Sequence, residues 1–282
     1  MAFFKQVTIA GLGLIGGSLG MAIRRRGLAG RVVGLSRRAQ TLRLARRLGA
    51  VDWGTTDPAA AAREADLLIV ATPVDRIIPV AQRCARQMRL GSIISDVGST
   101  KSHIVDTLQR TLPEGLAFVG AHPIAGSEAR GIRAAQPRLF DGATCLLTPT
   151  AHTDRRALRR VAQLWRSLSG RVLLMTPPRH DALLAATSHL PHLLAFCLAL
   201  TVDPTAPCVP RSFLDMTRVA KSGPALWDDI FLANRTELLA ALDRMERQVH
   251  RMRRQLTRSD RAGLRRLLAR ANATCEALER CA

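Results

Sequence analysis

The sequence predicts an α/β protein: a Rossmann-like domain with a mostly parallel sheet, followed by an all-helical domain. In the first half, short apolar runs alternate with stretches of helical apolar spacing, which is typical of a parallel sheet covered by helices on both faces. Beyond Pro177-Pro178 no strand pattern returns, and only helical spacing continues. We therefore predict two domains, over residues 1–178 and 179–282.

The predicted elements follow from the local pattern of apolar residues and turn residues. Two helices of the first domain end at Gly27 and Gly49, since glycine can adopt the left-handed conformation that closes many helices. The strand candidates are Gln6–Ala10, Arg31–Leu35, Leu67–Ala71, Ser92–Asp96, Ala117–Gly120, Cys145–Thr148 and Val172–Met175. The helix candidates are Leu14–Arg26, Ala39–Leu48, Ala182–Leu200, Ala225–Leu256 and Ala262–Leu278.

The turn between the first strand and the first helix is rich in glycine, Gly11-Leu12-Gly13-Leu14-Ile15-Gly16. In such a turn the first glycine permits the bend, the second lets the backbone approach a pyrophosphate, and the third lets the helix pack closely. The turn predicts that the first domain binds a dinucleotide. The expected cofactor contacts are Gly11, Gly13, Leu14, Ile15 and Gly16, with Thr72 and Pro73 after another strand.

The end of the second predicted strand indicates which dinucleotide is bound. Enzymes that use NAD usually place Asp or Glu there to hold the ribose hydroxyls, whereas this chain has Ser36-Arg37-Arg38. Hydroxyl and guanidinium groups can bind a 2′-phosphate that a carboxylate would repel. We therefore predict NADP as the cofactor. NAD is the alternative if Arg37 and Arg38 are ordinary surface arginines.

Arginine dominates the charged composition. The formal net charge is +20, and only three of the 42 basic residues are lysines. The arginines are spread over the chain, so two interpretations stay open: solvated helix faces, or attraction of an anionic substrate and cofactor. A nucleic-acid binder would need aromatic side chains on which bases stack, and aromatic residues make up 4% of the chain. We therefore predict no nucleic-acid partner.

The composition also favours a cytoplasmic protein. The six cysteines are scattered without a CxxC pair, so neither disulfides nor a structural zinc site are expected. The apolar start, Val7–Ala22, is interrupted by five glycines and does not resemble a signal peptide. No uninterrupted apolar stretch reaches the roughly 18 residues of a spanning helix, so no membrane contact is predicted.

Four further segments carry side chains suited to chemistry. Ser95-Asp96-Val97-Gly98-Ser99-Thr100-Lys101 and Gly120-Ala121-His122-Pro123-Ile124-Ala125-Gly126-Ser127-Glu128 follow strands, where open α/β sheets place their ligands. Ser188-His189-Leu190-Pro191-His192 and Phe213-Leu214-Asp215-Met216-Thr217-Arg218-Val219-Ala220 lie in the helical domain. Together with the glycine turn, these segments resemble the prephenate/arogenate dehydrogenase family, in the same order and through nearly the whole chain.

The resemblance implies a homodimer built by the helical domain and a small-molecule substrate, prephenate or arogenate. The implied reaction belongs to tyrosine biosynthesis. A hydride moves from the ring carbon that bears the 4-hydroxyl to NADP, and the ring carboxylate leaves as carbon dioxide. His122 is the candidate to take the hydroxyl proton, because a neutral imidazole suits this role near neutral pH. Matched to the family motif, Ser99 would hydrogen-bond the same hydroxyl, and Lys101 would supply positive charge nearby.

Arg218 is the candidate for binding a substrate carboxylate, since a guanidinium group can hold a carboxylate through two parallel hydrogen bonds. Asp215, three residues earlier, could instead hold Arg218 in an intrahelical pair. His189 and His192 either line the same cleft or are core residues. The pocket mouth is expected to include Ser127 and Glu128.

Two alternatives stay open. The sequence does not separate prephenate from arogenate, which differ in a keto group against an ammonium-bearing carbon. Another two-domain Rossmann reductase, of the β-hydroxyacid dehydrogenase or pyrroline carboxylate reductase type, would share the glycine turn and the helical second domain. Such an enzyme would not be expected to have His122-Pro123 after Ser99-Thr100-Lys101.

Overall fold

A computed structural model of the protein describes residues 2–126 and 129–280, and its first half contains six parallel strands in one sheet. The strands are β1 (Phe4–Ala10), β2 (Ala29–Leu35), β3 (Trp53–Thr55), β4 (Leu67–Val70), β5 (Ile93–Asp96) and β6 (Ala117–Val119). Their order is β3-β2-β1-β4-β5-β6, and every neighbouring pair is parallel. The winding reverses between β1 and β4, where sheets of this kind form a ligand crevice beyond their carboxyl ends.

Helices cover both faces of this sheet and bury it in two apolar cores. The helices are α1 (Leu14–Arg25), α2 (Ala39–Arg47), α3 (Pro58–Ala62), α4 (Val74–Ala85), α5 (Ser102–Thr111) and α6 (Arg155–Ser169). One core contains buried side chains of α1, α2 and α6, and the other contains those of α3, α4 and α5. Gly27 and Gly49 have φ values of +61° and +73°, which confirms the predicted helix ends.

Three further strands form a separate sheet, which corrects two predictions. β7 (Ala121–Ile124) pairs antiparallel with β8 (Thr144–Leu147), and β8 pairs parallel with β9 (Arg171–Leu174). The runs Cys145–Thr148 and Val172–Met175 are therefore strands, but they do not extend the parallel sheet. His122 follows the parallel strand β6, as predicted, and itself lies within β7. An apolar run reveals a strand without revealing its partner.

The second half is helical in the described residues. Its elements are α7 (Pro177–Leu184), a π-helical turn (Ala185–His189), α8 (Leu190–Ala199), α9 (Arg211–Thr217), a 3₁₀ turn (Arg218–Lys221), α10 (Pro224–Ala233), α11 (Arg235–Thr257) and α12 (Arg261–Glu279). The predicted helix Ala182–Leu200 contains the π turn, and Ala225–Leu256 is interrupted at Asn234. Pro191 lies in the first turn of α8, directly after the π turn.

The chain divides into two compact units, one ending at Arg235 and one beginning at Thr236. The backbone N–H groups of Lys101 and Ser102, at the start of α5, each donate to the Asp181 carboxylate on α7 at 2.8 Å. α7 is thus tied into the same unit as the parallel sheet. The boundary near Pro178 therefore stays a prediction.

One helical segment, Pro177–Ala199, is long and apolar enough to cross a membrane by length and composition alone. Such a single segment is weak evidence for a span. It carries the buried His180, Asp181 and His189, whose polar contacts are described below.

Candidate active site

The glycine turn between β1 and α1 has the shape that a phosphate cradle requires. Gly11 has a φ of +97°, and a Cβ there would lie 2.5 Å from the carbonyl oxygen of Ala71. A Cβ at Gly16 would lie 1.9 Å from the Gly11 carbonyl oxygen, so this glycine allows the close approach of α1. At Gly13 a Cβ would meet no heavy atom of the described chain within 4 Å. Space for a ligand is thus open beside Gly13.

The start of α1 supplies the electrostatics of this cradle. Its N-cap residue, Gly13, offers no side-chain cap, and no acidic residue lies in the first turn. The first N–H groups of a helix and its positive dipole end favour a bound phosphate. The geometry of the turn therefore fits the pyrophosphate of a dinucleotide.

The other predicted cofactor residues lie at the same edge of the sheet. Thr72 and Pro73 follow β4, and a Cβ at Gly11 would be 3.0 Å from the Thr72 backbone nitrogen. Ser36, Arg37 and Arg38 follow β2, with Ser36 half-buried and both arginines exposed. Because β1, β2 and β4 are parallel neighbours, their carboxyl ends bring these segments to one crevice.

A chain of three hydrogen-bonded side chains begins at His122. Its Nδ1 lies 2.9 Å from Nε2 of His180, and Nδ1 of His180 lies 2.8 Å from Oδ1 of Asp181. An ionised carboxylate only accepts, so Nδ1 of His180 carries a proton that it donates to Asp181. Nε2 of a neutral His180 then accepts from Nδ1–H of His122. The Nε2 of His122 is left with a lone pair, as a proton acceptor needs.

The pKa values in this chain fit the same assignment. Burial, reinforced by His180, Lys101 and His189, lowers the pKa of His122 well below its usual value. Burial also lowers the pKa of His180, against the opposing hydrogen bond to Asp181. Burial raises the pKa of Asp181, but hydrogen bonds from His180 and Ser102 outweigh it and leave this pKa below its usual value. Near neutral pH the pair of imidazoles is neutral and the carboxylate is charged.

A second group of ring side chains lies on α8, α10 and the π turn. His189 is buried at 1% exposure, and the imidazole of His192 stacks on the Trp227 ring with centroids 3.6 Å apart. Nδ1 of His192 donates to the Ser188 carbonyl oxygen at 2.9 Å. Nδ1 of His189 lies 3.0 Å from Nδ2 of the Asn234 amide. His189 is close enough to His122 to help lower the pKa of His122.

Two family models match this chain almost end to end. Residues 19–174 match the nucleotide-binding domain of prephenate dehydrogenase, and residues 176–270 match its dimerization domain. The chain belongs to the prephenate/arogenate dehydrogenase family. This membership sets aside the β-hydroxyacid dehydrogenase and pyrroline carboxylate reductase alternatives.

Other members of the prephenate/arogenate dehydrogenase family resemble the chain over most of its length. The cyclohexadienyl dehydrogenase of Zymomonas mobilis is 38% identical over 92% of this chain and 91% of its own length. The prephenate dehydrogenase of A. aeolicus, solved with hydroxyphenyl propionate and NAD+, superposes with a TM-score of 0.92 at 31% identity, covering 97% and 98% of the two chains. The Synechocystis arogenate dehydrogenase superposes with a TM-score of 0.84 at 28% identity, covering 97% of this chain and 99% of its own.

Lys101 lies in the protein interior, close to the strand that carries His122. Its side chain is fully buried and forms a salt bridge with the equally buried Asp96. Asp96 also accepts a hydrogen bond from the backbone N–H of Ala121, next to His122, at 3.2 Å. Because its ammonium group is enclosed by protein, Lys101 does not touch a substrate or cofactor in this structure, and its role as a nearby positive charge stays a prediction. The positive charge of Lys101 contributes to the lowered pKa of His122.

The remaining predicted residues of this family member are placed as follows. Ser99 is half-buried in the loop between β5 and α5. This loop follows Asp96, whose carboxylate accepts from the backbone N–H of Ala121 in the strand that carries His122. Arg218 is exposed at the start of the 3₁₀ turn. Asp215 forms an ion pair with Arg211 at 3.0 Å, which is a different partner from the one that the alternative interpretation of Arg218 gave it. Ser127 and Glu128, predicted at the pocket mouth, lie outside the described residues.

Sequence patterns gave no role to His180, Asp181, Asn234 or Trp227. Their contacts with the predicted site residues span long sequence separations: His180 is 58 residues from His122, and Asn234 is 45 residues from His189. The only local signal is the adjacent pair His180-Asp181 just after the predicted boundary. Among the described residues, no group of three or more His, Cys, Asp and Glu side chains is arranged to hold a metal ion.

Proposed function

We propose that this protein oxidises and decarboxylates arogenate or prephenate with NADP, in tyrosine biosynthesis. The observation that carries the proposal is the His122–His180–Asp181 chain, which leaves a neutral proton acceptor in a nucleotide-binding fold. Family membership supplies the reaction class, and the arrangement of side chains supplies the roles.

His122 takes the proton of the substrate's 4-hydroxyl at Nε2. General base assistance of this kind is worth roughly 10²–10⁴ in rate. The imidazolium that forms keeps its Nδ1–H donated to His180, and the ionised Asp181 at the end of the chain stabilises the positive charge. Asp181 itself is held by two backbone N–H groups, so the chain is fixed at its far end.

The other residues bind and orient the substrate. Ser99 donates to or accepts from the same hydroxyl, and Arg218 binds a carboxylate. When bound at the glycine turn, a nicotinamide cofactor supplies the hydride acceptor. The bonding pair of the departing ring carboxylate moves into the ring, which becomes aromatic as carbon dioxide leaves.

The choice of NADP is supported by the end of β2. The three residues there are Ser36, Arg37 and Arg38, and none is a carboxylate that would repel a 2′-phosphate. Both guanidinium groups are exposed at the edge of the sheet that carries the glycine turn. The A. aeolicus relative was solved with NAD+, so the two cofactors must be compared directly in this protein.

We also propose a homodimer formed through the helical half. Large apolar side chains are exposed on three of its segments, Leu200 at 87%, Leu232 at 71% and Met216 at 68%. All three lie within residues 176–270, which match a dimerization domain. A second copy of the chain would cover them.

Initial rates with prephenate or arogenate, each with NAD or NADP, test the proposed function. We expect turnover with one of the two substrates, and a higher kcat/KM with NADP than with NAD. Folded protein that turns over neither substrate would overturn the proposed function. Turnover with a preference for NAD would overturn only the cofactor assignment.

A further inference from the structure

The side chain of Asn234 contacts both the His122–His180–Asp181 chain and His189. It is buried at 4% exposure where α10 ends and α11 begins. Its Nδ2 donates to the backbone carbonyl oxygen of Asp181 at 2.8 Å and lies 3.0 Å from Nδ1 of His189. One side-chain amide thus contacts both the residue that ends the His122 chain and the buried histidine of the π turn.

The orientation of this amide is fixed by its partners. The Asp181 carbonyl oxygen can only accept, so it must face the NH₂ group, because the flipped amide would set two oxygens against each other. The NH₂ group has two N–H bonds, of which one serves Asp181 and the other is directed to His189. Nδ1 of His189 is therefore the acceptor, and the single proton of the neutral imidazole resides on Nε2.

The resulting Nε2–H of His189 is buried and has no hydrogen-bond partner in the part of the chain that the structure describes. An unsatisfied buried donor destabilises a fold, so a retained one indicates an acceptor supplied from elsewhere. Burial lowers the pKa of His189 to about 4, so this group is a neutral donor near neutral pH. It lies near His122, the proposed proton acceptor.

We propose that Asn234 is a positioning residue that holds His189 in the tautomer whose Nε2–H donates to a substrate carboxylate. The identity of the ligand rests on the proposed function, because a carboxylate is the acceptor-only group that prephenate and arogenate both carry. With the opposite tautomer, a lone pair of His189 would face the carboxylate and repel it. Asn234 therefore acts on substrate affinity through His189, without touching the substrate.

Nitrogen-15 NMR of histidine-labelled protein, recorded without substrate, tests the tautomer. The His189→Gln variant identifies the His189 signals by their loss. We expect the wild-type protein to carry the His189 proton on Nε2, and Asn234→Asp to move it to Nδ1, since an ionised aspartate can only accept. A proton on Nδ1 in the wild-type protein would overturn the assignment, whether or not any variant folds.

Steady-state kinetics test the consequence. Loss of a hydrogen bond to a charged group predicts a roughly 10- to 100-fold higher KM for the organic substrate in Asn234→Asp. The KM for NADP should stay within about twofold, and kcat should change less than the substrate KM. Asn234→Ala, which also removes the donor to His189, should raise the same KM.

A double-mutant cycle separates positioning from packing. A glutamine at position 189 carries its own amide donor and has no tautomers, so Asn234→Asp should raise KM much less in the His189→Gln background than in the wild type. Equal effects in both backgrounds would reduce Asn234 to a packing role and overturn the proposal. An absence of turnover with either substrate would instead overturn the proposed function, while the NMR result stands independently.

Discussion

The protonation of His122 is set by side chains that lie outside its own strand. Asp181 accepts from Nδ1–H of His180, so Nε2 of the neutral His180 has a lone pair that accepts from Nδ1–H of His122. The Nε2 of His122 is therefore unprotonated. The two backbone N–H groups that donate to Asp181 keep the carboxylate ionised and in place. A base in this position is ready to act without a prior change of tautomer.

Replacement of His122 should abolish this function with little effect on cofactor binding. We expect His122→Asn to lower kcat by about 10²–10⁴, since general base assistance is lost, while NADP still binds. Rates and cofactor titrations measure the two effects. His152→Asn, at an exposed position, is the matched control and should keep wild-type rates. Near-normal turnover in His122→Asn would remove His122 from the proposed role.

The buried histidines also predict how stability depends on pH. The pKa values of His122, His180 and His189 are all lowered, mainly by burial, so the unfolded chain binds protons at these positions first as the pH falls. Above about pH 6.5 these histidines are neutral in both states and do not make the free energy of unfolding depend on pH. Below that pH the free energy of unfolding falls, and for His189 the fall continues until its pKa in the folded protein, about 4, is reached. Urea denaturation between pH 7 and 4, roughly, should show a falling free energy of unfolding, with a shallower slope in His189→Gln. An identical slope in that variant would contradict the assignment.

At the scale of elements, the β2–α2 junction is the predicted determinant of cofactor choice. Arg37→Ala combined with Arg38→Ala should raise the KM for NADP by roughly tenfold or more, with little change for NAD, because only NADP carries the 2′-phosphate. Arg46→Ala with Arg47→Ala, exposed in the last turn of α2, is the control for loss of two positive charges. An equal rise in KM for NADP and for NAD would show that Arg37 and Arg38 contribute only general surface charge.

Local patterns predicted most elements but not their partners. The strands β1, β2, β4, β5 and β6 were readable because each is an apolar run between turn residues. β3 was missed, since its three residues, Trp53–Thr55, contain no such run. The second sheet was misassigned because pairing of β8 with β7 and β9 is decided by packing over long separations.

The candidate site shows the same limit. His122 could be proposed from the sequence because it lies in a contiguous motif that resembles the family's. His180, Asp181 and Asn234 could not, because the role of each depends on a contact 45 or more positions away in the sequence. The burial of Lys101 against Asp96, only five residues away, cannot be read from the motif either, because it depends on how the surrounding strands and helices pack.

At the scale of the whole molecule, the helical half has more apolar surface than one chain can bury. On α10, Trp227 and Ile230 face inward, while Leu226 and Leu232 are 45% and 71% exposed. A helix that is apolar on both sides is expected where a second partner covers the outer side. The match of residues 176–270 to a dimerization domain makes a second copy of this chain the expected partner.

A charge placed on that outer side should separate the two copies. Leu232→Arg would bring a guanidinium group into an apolar interface, where an unpaired charge strongly disfavours association. Light scattering after size-exclusion chromatography should give twice 30.7 kDa for the wild type and a value near 30.7 kDa for the variant at low micromolar concentration. Leu90→Arg, at a leucine that is 80% exposed in the nucleotide-binding half, is the control and should stay dimeric. A wild-type monomer would refute the dimer itself, and a dimeric Leu232→Arg would exclude the outer side of α10 from the interface.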